Sequence, residues 1–357
     1  MDGAGGLKAE GGVAVIVPAR NEEANIERAV RSLAAQAGRG EILVVDDQSQ
    51  DRTGEILERL KGEIAGLRVL QIESLPEGWL GKNYAVATAA KQAKGDWLLF
   101  TDADVEHRPG SLVALLERAE AEHVDLCSLS PGQETPTWWE QAVIPLVYVQ
   151  LAKLYRFDEV SDPSSTAAAA NGQYILIRRE VYERVGGHEA VRGEILEDVA
   201  LACRVKASGG RLRFLPGAEW ARTRMYSSFA EMWRGWTKNL YLLYGRRPGR
   251  LLATVAEMCL LDLLPLLGAF VLIMLMVGRQ RSAAVLALAA AVCVLLVGWR
   301  HALYAAQLKR LGFHQRLACL RTPGLVLVSV LLLNSARIYC LGGMVQWKGR
   351  RYSAGGG

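Results

Sequence analysis

Alternating apolar runs and helix-forming segments between residues 13 and 101 constrain the fold of this chain more than any other feature. The apolar runs predict four buried strands, at 13–17, 41–45, 67–72 and 97–101. A run that is apolar on both faces is typical of a parallel strand covered on both sides. Strands that alternate with helices form parallel sheets with right-handed crossovers. We therefore expect an α/β fold built on a mostly parallel sheet with flanking helices.

The first predicted helix starts at Asn21, which we place as its N-cap with two acids in the first turn. A helix over 138–155 is apolar on most faces and rich in aromatic residues at its ends. It fits either the interior of a soluble domain or a membrane interface, where Trp and Tyr are enriched. The sequence leaves both readings of this helix open.

Composition narrows the classes of partner. The net charge is +5, the Lys and Arg residues are scattered, and the six cysteines lack metal-binding spacing. These features argue against nucleic acid and are compatible with an anionic membrane surface. The Gly/Ala-rich N-terminus has no apolar core of a signal peptide, so we expect the first domain to stay in the cytoplasm.

Three long apolar stretches follow the predicted α/β part, at about 251–277, 283–298 and 323–345. A membrane span needs roughly 20 apolar residues. Polar groups inside these stretches, Asn334 and Arg337 among them, should face protein and not lipid. The basic loop before the third stretch belongs inside, but a third crossing would place the basic C-terminal tail outside. The number of crossings stays open.

Two carboxylates, Asp102 and Asp104, directly follow the fourth predicted strand. Ligands of open α/β sheets bind at the carboxyl ends of the strands. Two acids at this position suit a hard divalent cation that is held by one or two carboxylates and by substrate phosphates. A polar turn after a core strand is the alternative.

Two further positions near the same predicted edge carry candidate binding groups. Asp47 follows the second strand and could accept hydrogen bonds from a ribose or base, or cap the next helix. Lys82 begins a helix and could meet a phosphate together with the helix N–H groups, or be a solvated lysine.

A second acid pair, Glu197 and Asp198, lies at a predicted helix start. It is either an ordinary first-turn pair or the source of a general base for an attacking hydroxyl. Arg234 and Trp236 precede the apolar stretches, where a cation beside an aromatic could contact diphosphate or anchor at headgroups.

Four motifs in order resemble those of glycosyltransferase family 2, at 15–22, 44–49, 101–104 and 197–198. The resemblance covers about residues 12–245 and implies a Rossmann-like GT-A fold that binds a nucleotide sugar. Further segments resemble membrane-bound members that act on lipids, such as the hopene-associated and carotenoid (diaponeurosporenoate-type) glycosyltransferases. These segments are 81–83, 171–176, 186–188 and 235–238.

The resemblance implies a role for each matching position. Pro18, Arg20, Glu22 and Asp47 would line the nucleotide pocket. Asp102 and Asp104 would engage the nucleotide sugar and its Mg²⁺ or Mn²⁺, with Asp104 the direct ligand. Asp198 would be the base of an inverting single displacement. The remaining candidates for substrate binding are Lys82, Glu197, Arg234 and Trp236.

One departure from the family bears on the product. Polysaccharide-synthase relatives and the ceramide glucosyltransferases carry Q/R-x-x-R-W, whereas here Gly235 separates Arg234 from Trp236. We therefore expect transfer of a single sugar to a hydrophobic, isoprenoid-type lipid. A processive polysaccharide synthase and an inactive membrane scaffold are the alternatives.

The expected organisation has four parts: a flexible N-terminus at 1–12, a GT-A domain at 13–245, a membrane region at 246–348 and a flexible tail at 349–357. We expect a multi-pass protein of the cell inner membrane with its catalytic domain in the cytoplasm.

Overall fold

The computed structural model describes residues 12–277 and 283–353, and these residues form two compact units. The first unit comprises the described residues up to Glu134 together with Tyr155–Met225. The second comprises Thr135–Leu154 and the described residues from Tyr226 onward. The expected flexible ends fall partly on residues 1–11 and 354–357, which lie outside the described residues.

An open mixed sheet forms the centre of the first unit and confirms the predicted fold class. Its order is β3-β2-β1-β4-β7-β6-β8-β5, and the pairs among β3, β2, β1 and β4 are parallel, as predicted. β7 runs antiparallel to both of its neighbours, which the sequence did not predict. The strands are β1 (Val13–Ala19), β2 (Arg39–Asp46), β3 (Leu67–Gln71), β4 (Trp97–Phe100), β5 (Val105–His107), β6 (Leu126–Gln133), β7 (Ile175–Arg178) and β8 (Leu212–Thr223).

Helices cover both faces of this sheet. Alternate residues of β1 explain why: Val15 and Val17 enter one apolar core, whereas Ala14 and Ile16 enter the other. The helices of the first unit are α1 (Ile26–Ala34), α2 (Thr53–Glu63), α3 (Gly81–Gln92), α4 (Ser111–Ala121), α6 (Phe157–Ser161), α7 (Arg179–Arg184) and α8 (Glu197–Ala207).

The start of α1 differs from the prediction. The helix begins at Ile26, and Asn25 is its N-cap residue. Asn21 instead has a positive φ of 53°. Its side-chain oxygen accepts a hydrogen bond from the backbone N–H of Gln50 at 2.8 Å, in the loop after β2. Asn tolerates this left-handed backbone better than most residues, so here it shapes a loop and does not cap a helix.

The second unit is helical. Helix α5 (Trp138–Leu154) belongs to it, and most of its length is buried. It packs against α9 (Phe229–Leu243) and α13 (Arg321–Cys340). Three helical stretches, Pro248–Met276, Ala284–Arg310 and Gln315–Cys340, are long and apolar enough to cross a membrane. The other helices are α9 (Phe229–Leu243), α10 (Pro248–Met258), α11 (Leu264–Val277), α12 (Ala283–Arg310) and α13 (Arg321–Cys340).

The polar residues of the last apolar helix behave differently from each other. Asn334 faces protein, as predicted, and its amide donates to the hydroxyl of Thr237 at 3.2 Å. Arg337 was expected to do the same but is exposed. A two-stranded hairpin follows, in which β9 (Met344–Trp347) pairs antiparallel with β10 (Arg350–Ser353).

Candidate active site

The carboxyl ends of β2, β1 and β4 are neighbours at one edge of the sheet, and most predicted site residues lie there. Pro18 is the second-to-last residue of β1, and Asp47 directly follows β2. Arg20 joins the two loops, because its Nη1 donates to the backbone oxygen of Asp47 at 2.5 Å. The backbone N–H of Glu22 donates to the hydroxyl of Thr53 at 2.8 Å. This half of the edge therefore has its geometry fixed by bonds between the two loops.

Lys82 is the centre of the other half of the edge. Its Nζ lies 2.8 Å from Oδ1 of Asp102 and 2.8 Å from Oε1 of Glu197. Burial alone would lower the pKa of Lys82, but the negative charges of Asp102, Glu197 and Asp198 raise it well above its ordinary value. The ammonium group is therefore fixed in place and stays charged.

Asp198 lies in the first turn of α8, next to this ion pair. Its Oδ2 accepts a hydrogen bond from the N–H of Gly172 at 2.8 Å, and its Oδ1 accepts one from Val199 at 2.8 Å. Burial, followed by the like charge of Glu197, raises its pKa to about 6, while Lys82 opposes the rise. A carboxylate with a pKa near neutrality is suited to general base catalysis.

Gly172 allows these groups to approach each other. A Cβ on this residue would lie 2.9 Å from Nζ of Lys82, 3.4 Å from Glu197 and 3.5 Å from Asp198. The sequence drew attention to residues 171–176 only through the family resemblance. The structure explains the glycine: its backbone donates to one acid, and a side chain there would crowd the lysine.

Asn83 connects the start of α3 to the segment before α8, a role that sequence reasoning missed. It is buried, and its side-chain amide lies 2.9, 3.1 and 3.0 Å from the backbone oxygens of Val191, Arg192 and Glu194. The loop that leads to Glu197 is thereby attached to the helix that carries Lys82. The available signal was the family resemblance of the segment 81–83, which contains Asn83 next to Lys82.

A buried hydrogen-bond network supports the segment that carries Asp102 and Asp104. The Thr101 hydroxyl donates to the backbone oxygen of Gln173 at 2.8 Å and lies 3.0 Å from Nε2 of His107. Because this hydroxyl has one proton, Nε2 of His107 must donate to it. Burial lowers the pKa of His107 to about 3, so the ring is neutral. No sequence pattern pointed to His107, because its role depends on the pairing of β5 with β8.

The carboxylates after β4 suit a hard cation only when substrate phosphates supply the remaining ligands of the metal ion. The described residues contain no cluster of three or more His, Cys, Asp or Glu that could hold a metal ion by itself. Asp102 already contacts Lys82, and Asp104 is two residues further on and half-buried. Mg²⁺ is typically held by one or two carboxylates together with substrate phosphates. The donor set fits that arrangement and not an all-protein cage.

Arg234 and Trp236 lie in α9, in the second unit. Arg234 is exposed, whereas Trp236 is buried and makes edge contacts with the rings of Tyr148 and Tyr226. The intervening Gly235 lies under Tyr226, whose ring would be 2.6 Å from a Cβ at this position. The glycine between Arg234 and Trp236 thus leaves space for the ring of Tyr226. Their assignment to substrate binding stays a prediction.

Residues 14–186 match the family described as glycosyl transferase family 2. This match falls on the sheet and on the strand ends that carry the clustered acids. Residues 14–186 are therefore similar to glycosyltransferase family 2, as the motifs of this segment predicted.

Two similar proteins share one name, 4,4'-diaponeurosporenoate glycosyltransferase. The one from Staphylococcus haemolyticus (strain JCSC1435) is 29% identical over 233 residues, or 64% of this chain and 60% of that protein. The one from Staphylococcus aureus (strain MRSA252) is 25% identical over 353 residues, or 95% of this chain and 88% of that protein. The chain thus aligns with less than two thirds of the first relative and with most of the second.

A similar solved structure is the mannosyltransferase PcManGT from Pyrobaculum calidifontis in complex with GDP-Man and Mn²⁺. It is 19% identical with a TM-score of 0.48, and the match covers 90% of this chain and 87% of that one.

Proposed function

We propose that this protein is a membrane-anchored, inverting glycosyltransferase. It moves one sugar from a nucleotide-diphosphate sugar to a hydrophobic, isoprenoid-type lipid. The observation that carries this proposal is the position of Asp198: a carboxylate with a raised pKa, next to a lysine and Asp102 at the carboxyl edge of the sheet. One cluster would then contain the base, Asp198, the cation that binds the donor, Lys82, and the acid that follows β4, Asp102.

The donor would occupy the edge formed by β2, β1 and β4. Pro18, Arg20, Glu22 and Asp47 line the nucleotide end in this proposal, and the bonds between their loops keep that end in shape. Lys82 would contact the diphosphate, since its ammonium group lies at the N-terminus of α3 beside Asp102. Glu197 positions that ammonium group for the donor.

Asp102 and Asp104 would hold Mg²⁺ or Mn²⁺ together with the diphosphate, with Asp104 as the direct ligand. When bound there, the metal ion would supply positive charge that offsets the negative charge on the departing diphosphate. The site has the fixed cation of Lys82 as well, so two sources of positive charge would act on the leaving group.

Asp198 would accept the proton of the acceptor hydroxyl. The acceptor oxygen then forms a bond to the anomeric carbon while the bond from that carbon to the diphosphate breaks, and the configuration inverts. The N–H groups of Gly172 and Val199 hold the carboxylate in place for this proton transfer. Lys82 keeps it ionised at neutral pH by opposing the effect of burial.

The acceptor class follows from the second unit and from the relatives. Three apolar helical stretches suggest membrane association, and they suit an enzyme whose acceptor is in lipid. The relatives' name specifies a diaponeurosporenoate, which is a carboxylate anion of isoprenoid type. A carboxylate is already ionised at neutral pH, so a hydroxyl acceptor needs Asp198 as a base and a carboxylate acceptor does not.

The location and organisation are part of the same proposal. The protein would be a multi-pass protein of the cell inner membrane with its catalytic domain, residues 13–245, in the cytoplasm. The membrane region would comprise residues 246–348. Single transfer is favoured over polymer synthesis, since Gly235 and the ring of Tyr226 replace the R-W spacing of the polymer-synthesising relatives.

Lipid mass spectrometry tests the proposal. Cells that produce the wild-type chain should contain an isoprenoid lipid heavier by one hexose or one amino sugar. If the acceptor group is a hydroxyl, cells that produce Asp198→Asn should lack this lipid or contain less of it. Products with a ladder of sugars would support a processive synthase. Identical lipid profiles with and without the wild-type protein would refute the transfer reaction.

A further inference from the structure

The three apolar helical stretches of the second unit differ in how much protein covers them. Within the most apolar window of each, 22% of Pro248–Met276, 6% of Ala284–Arg310 and 50% of Gln315–Cys340 is buried. Helices α11 and α12 pack against each other as a hairpin, and their outer surfaces consist of exposed apolar side chains such as Phe270 and Leu295. Such a surface suits lipid hydrocarbon and is unfavourable in water.

Charged residues form a cluster at one end of this hairpin, and we name Glu257, Asp262, Arg300 and Arg321 the charged collar. Asp262 is buried and bonds Arg300 twice, with its two oxygens 2.9 and 2.8 Å from the guanidinium nitrogens. Arg321 bonds the same carboxylate, and Glu257 lies 2.9 Å from Arg300. Since a charge at the centre of a bilayer costs at least about 3 kcal/mol, the collar belongs near an interface.

The arms of the hairpin fit a bilayer when the collar lies at one surface. At 1.5 Å per residue, the helical path from Asp262 to Val277 is about 23 Å, and that from Ala283 to Arg300 is about 26 Å. The hydrocarbon core is about 30 Å thick.

The third apolar helix, α13, is tied to a helix that is too polar to cross a membrane. Ser335 of α13 donates to the backbone oxygen of Thr237 at 2.6 Å and accepts from the N–H of Tyr241 at 2.9 Å. Tyr339 donates to the backbone oxygen of Lys238 at 2.7 Å. All three partners belong to α9, which also carries the exposed Arg234. Helix α13 therefore packs beside a partly hydrated helix over its C-terminal half.

Exposed apolar side chains on α13 form one short stripe. Val326, Val330 and Leu333 are 47%, 46% and 42% exposed, and the next residue on this face is the exposed Arg337. The stripe covers about 10 Å of the helix axis, about one third of a hydrocarbon core. A helix with this surface lies against an interface and does not span it.

We propose that the α11–α12 hairpin crosses the lipid bilayer twice and is the only part of the described chain that does so, while α13 stays on the side of the collar. Both ends of the chain are then on one side. The basic loop with Lys309, Arg310 and Arg316 and the basic tail with Lys348 and Arg350 share that side. The positive-inside rule is satisfied for both segments at once, which three crossings cannot achieve.

This inference rests on the proposed membrane anchoring, and labelling with a membrane-impermeant maleimide tests it without any need for transfer activity. The native Cys203 is exposed in the first unit and marks its side of the membrane. Starting from a chain that retains only Cys203, we would add Gln280→Cys between the arms or Ser353→Cys in the tail. Each full-length variant is labelled in right-side-out and in inverted vesicles.

Two crossings predict that Ser353→Cys is labelled in the same vesicles as Cys203 and that Gln280→Cys is labelled in the opposite ones. Labelling of Ser353→Cys from the side opposite to Cys203 would establish an odd number of crossings and overturn the proposal. Labelling of Gln280→Cys from the Cys203 side, or protection from both sides, would also overturn it. Recovery of the protein in the soluble fraction would refute the anchoring itself, independently of the sugar-transfer reaction.

Discussion

The backbone N–H of Gly172 donates a hydrogen bond of 2.8 Å to Oδ2 of Asp198, 26 residues further along the chain. The proposed base is thus held by the backbone amide of a glycine. The absence of a Cβ leaves room for the ammonium group of Lys82, which bridges Asp102 and Glu197. One glycine thereby leaves room for the proposed base, the proposed donor-binding lysine and the acid after β4 to lie together.

The charges around Asp198 predict the pH dependence of the reaction. The base acts only when it is ionised, so kcat/KM with a hydroxyl acceptor should fall as the pH drops through about 6. Lys82→Met removes a charge that lowers the pKa of Asp198 and should move this acid limb to higher pH. Glu197→Gln removes a charge that raises the pKa and should move the limb to lower pH.

The pair of variants controls for a general loss of activity, because the two shifts have opposite signs. Rates of sugar transfer to one lipid acceptor, measured from pH 5 to 8, give the position of the limb. An acid limb that stays fixed in both variants, or that Glu197→Gln moves upward, would contradict the assignment of Asp198 as the base. With a carboxylate acceptor, the limb of Asp198 should be weak in all three proteins.

Gly172→Ala should impair transfer without removing any catalytic group. The added methyl group would lie 2.9 Å from Nζ of Lys82 and would force the lysine away from its two acids. Misplacement of a catalytic group by about 1 Å costs about 100-fold, so we expect a loss in kcat/KM of that order.

Gly62→Ala is the matched control for this substitution. Gly62 lies in α2, where an added Cβ meets nothing within 4 Å, so the rate should stay at the wild-type value. Equal kcat/KM for Gly172→Ala and Gly62→Ala would show that the close approach of Lys82 is not required.

Asp104→Asn tests the proposed metal ligand through the affinity for a nucleotide, which can be measured without any turnover. Calorimetric titration with UDP or GDP should show tighter binding when Mn²⁺ is present. The variant should lose most of this gain, about tenfold or more, while its metal-free affinity stays unchanged. Asp158→Asn, at an exposed position in α6, should keep the full gain. An undiminished effect of Mn²⁺ in Asp104→Asn would remove this residue from the metal site.

Local pattern was sufficient to predict the parallel half of the sheet. Strands β1 to β4 are short apolar runs bounded by turn residues, and Asp47 and Asp102 of the site follow β2 and β4. The antiparallel partners β7 and β5 could not be predicted in the same way, because their pairing depends on residues far apart in sequence. For the same reason the contacts of His107 and of Asn83 were not foreseen.

The start of α1 shows a second limit of local reasoning. Asn favours both helix N-caps and left-handed turns, and the sequence alone does not distinguish them. The conformation of Asn21 depends on Gln50, 29 residues away, because the N–H of Gln50 donates a hydrogen bond to the side chain of Asn21. The acids at the edge were predictable as a group, whereas the exact partner of each acid depends on the tertiary structure.

Asp262 should contribute more to stability than an acid of a surface ion pair. Asp262→Asn leaves the buried Arg321 without its carboxylate, and it removes the negative charge and one of the two acceptor oxygens that face Arg300. Breaking a buried ion pair on one side costs about 3–5 kcal/mol, since a buried charge then has no counterion. The double variant Asp262→Asn/Arg321→Gln should be less destabilised than the single one, because it also removes the unpaired cation.

Thermal unfolding in detergent measures the stability of both variants. The control is Glu63→Gln, which breaks the exposed ion pair with Arg31 and should change the stability little. A single variant as stable as the wild type would show that the collar does not hold the base of the hairpin together.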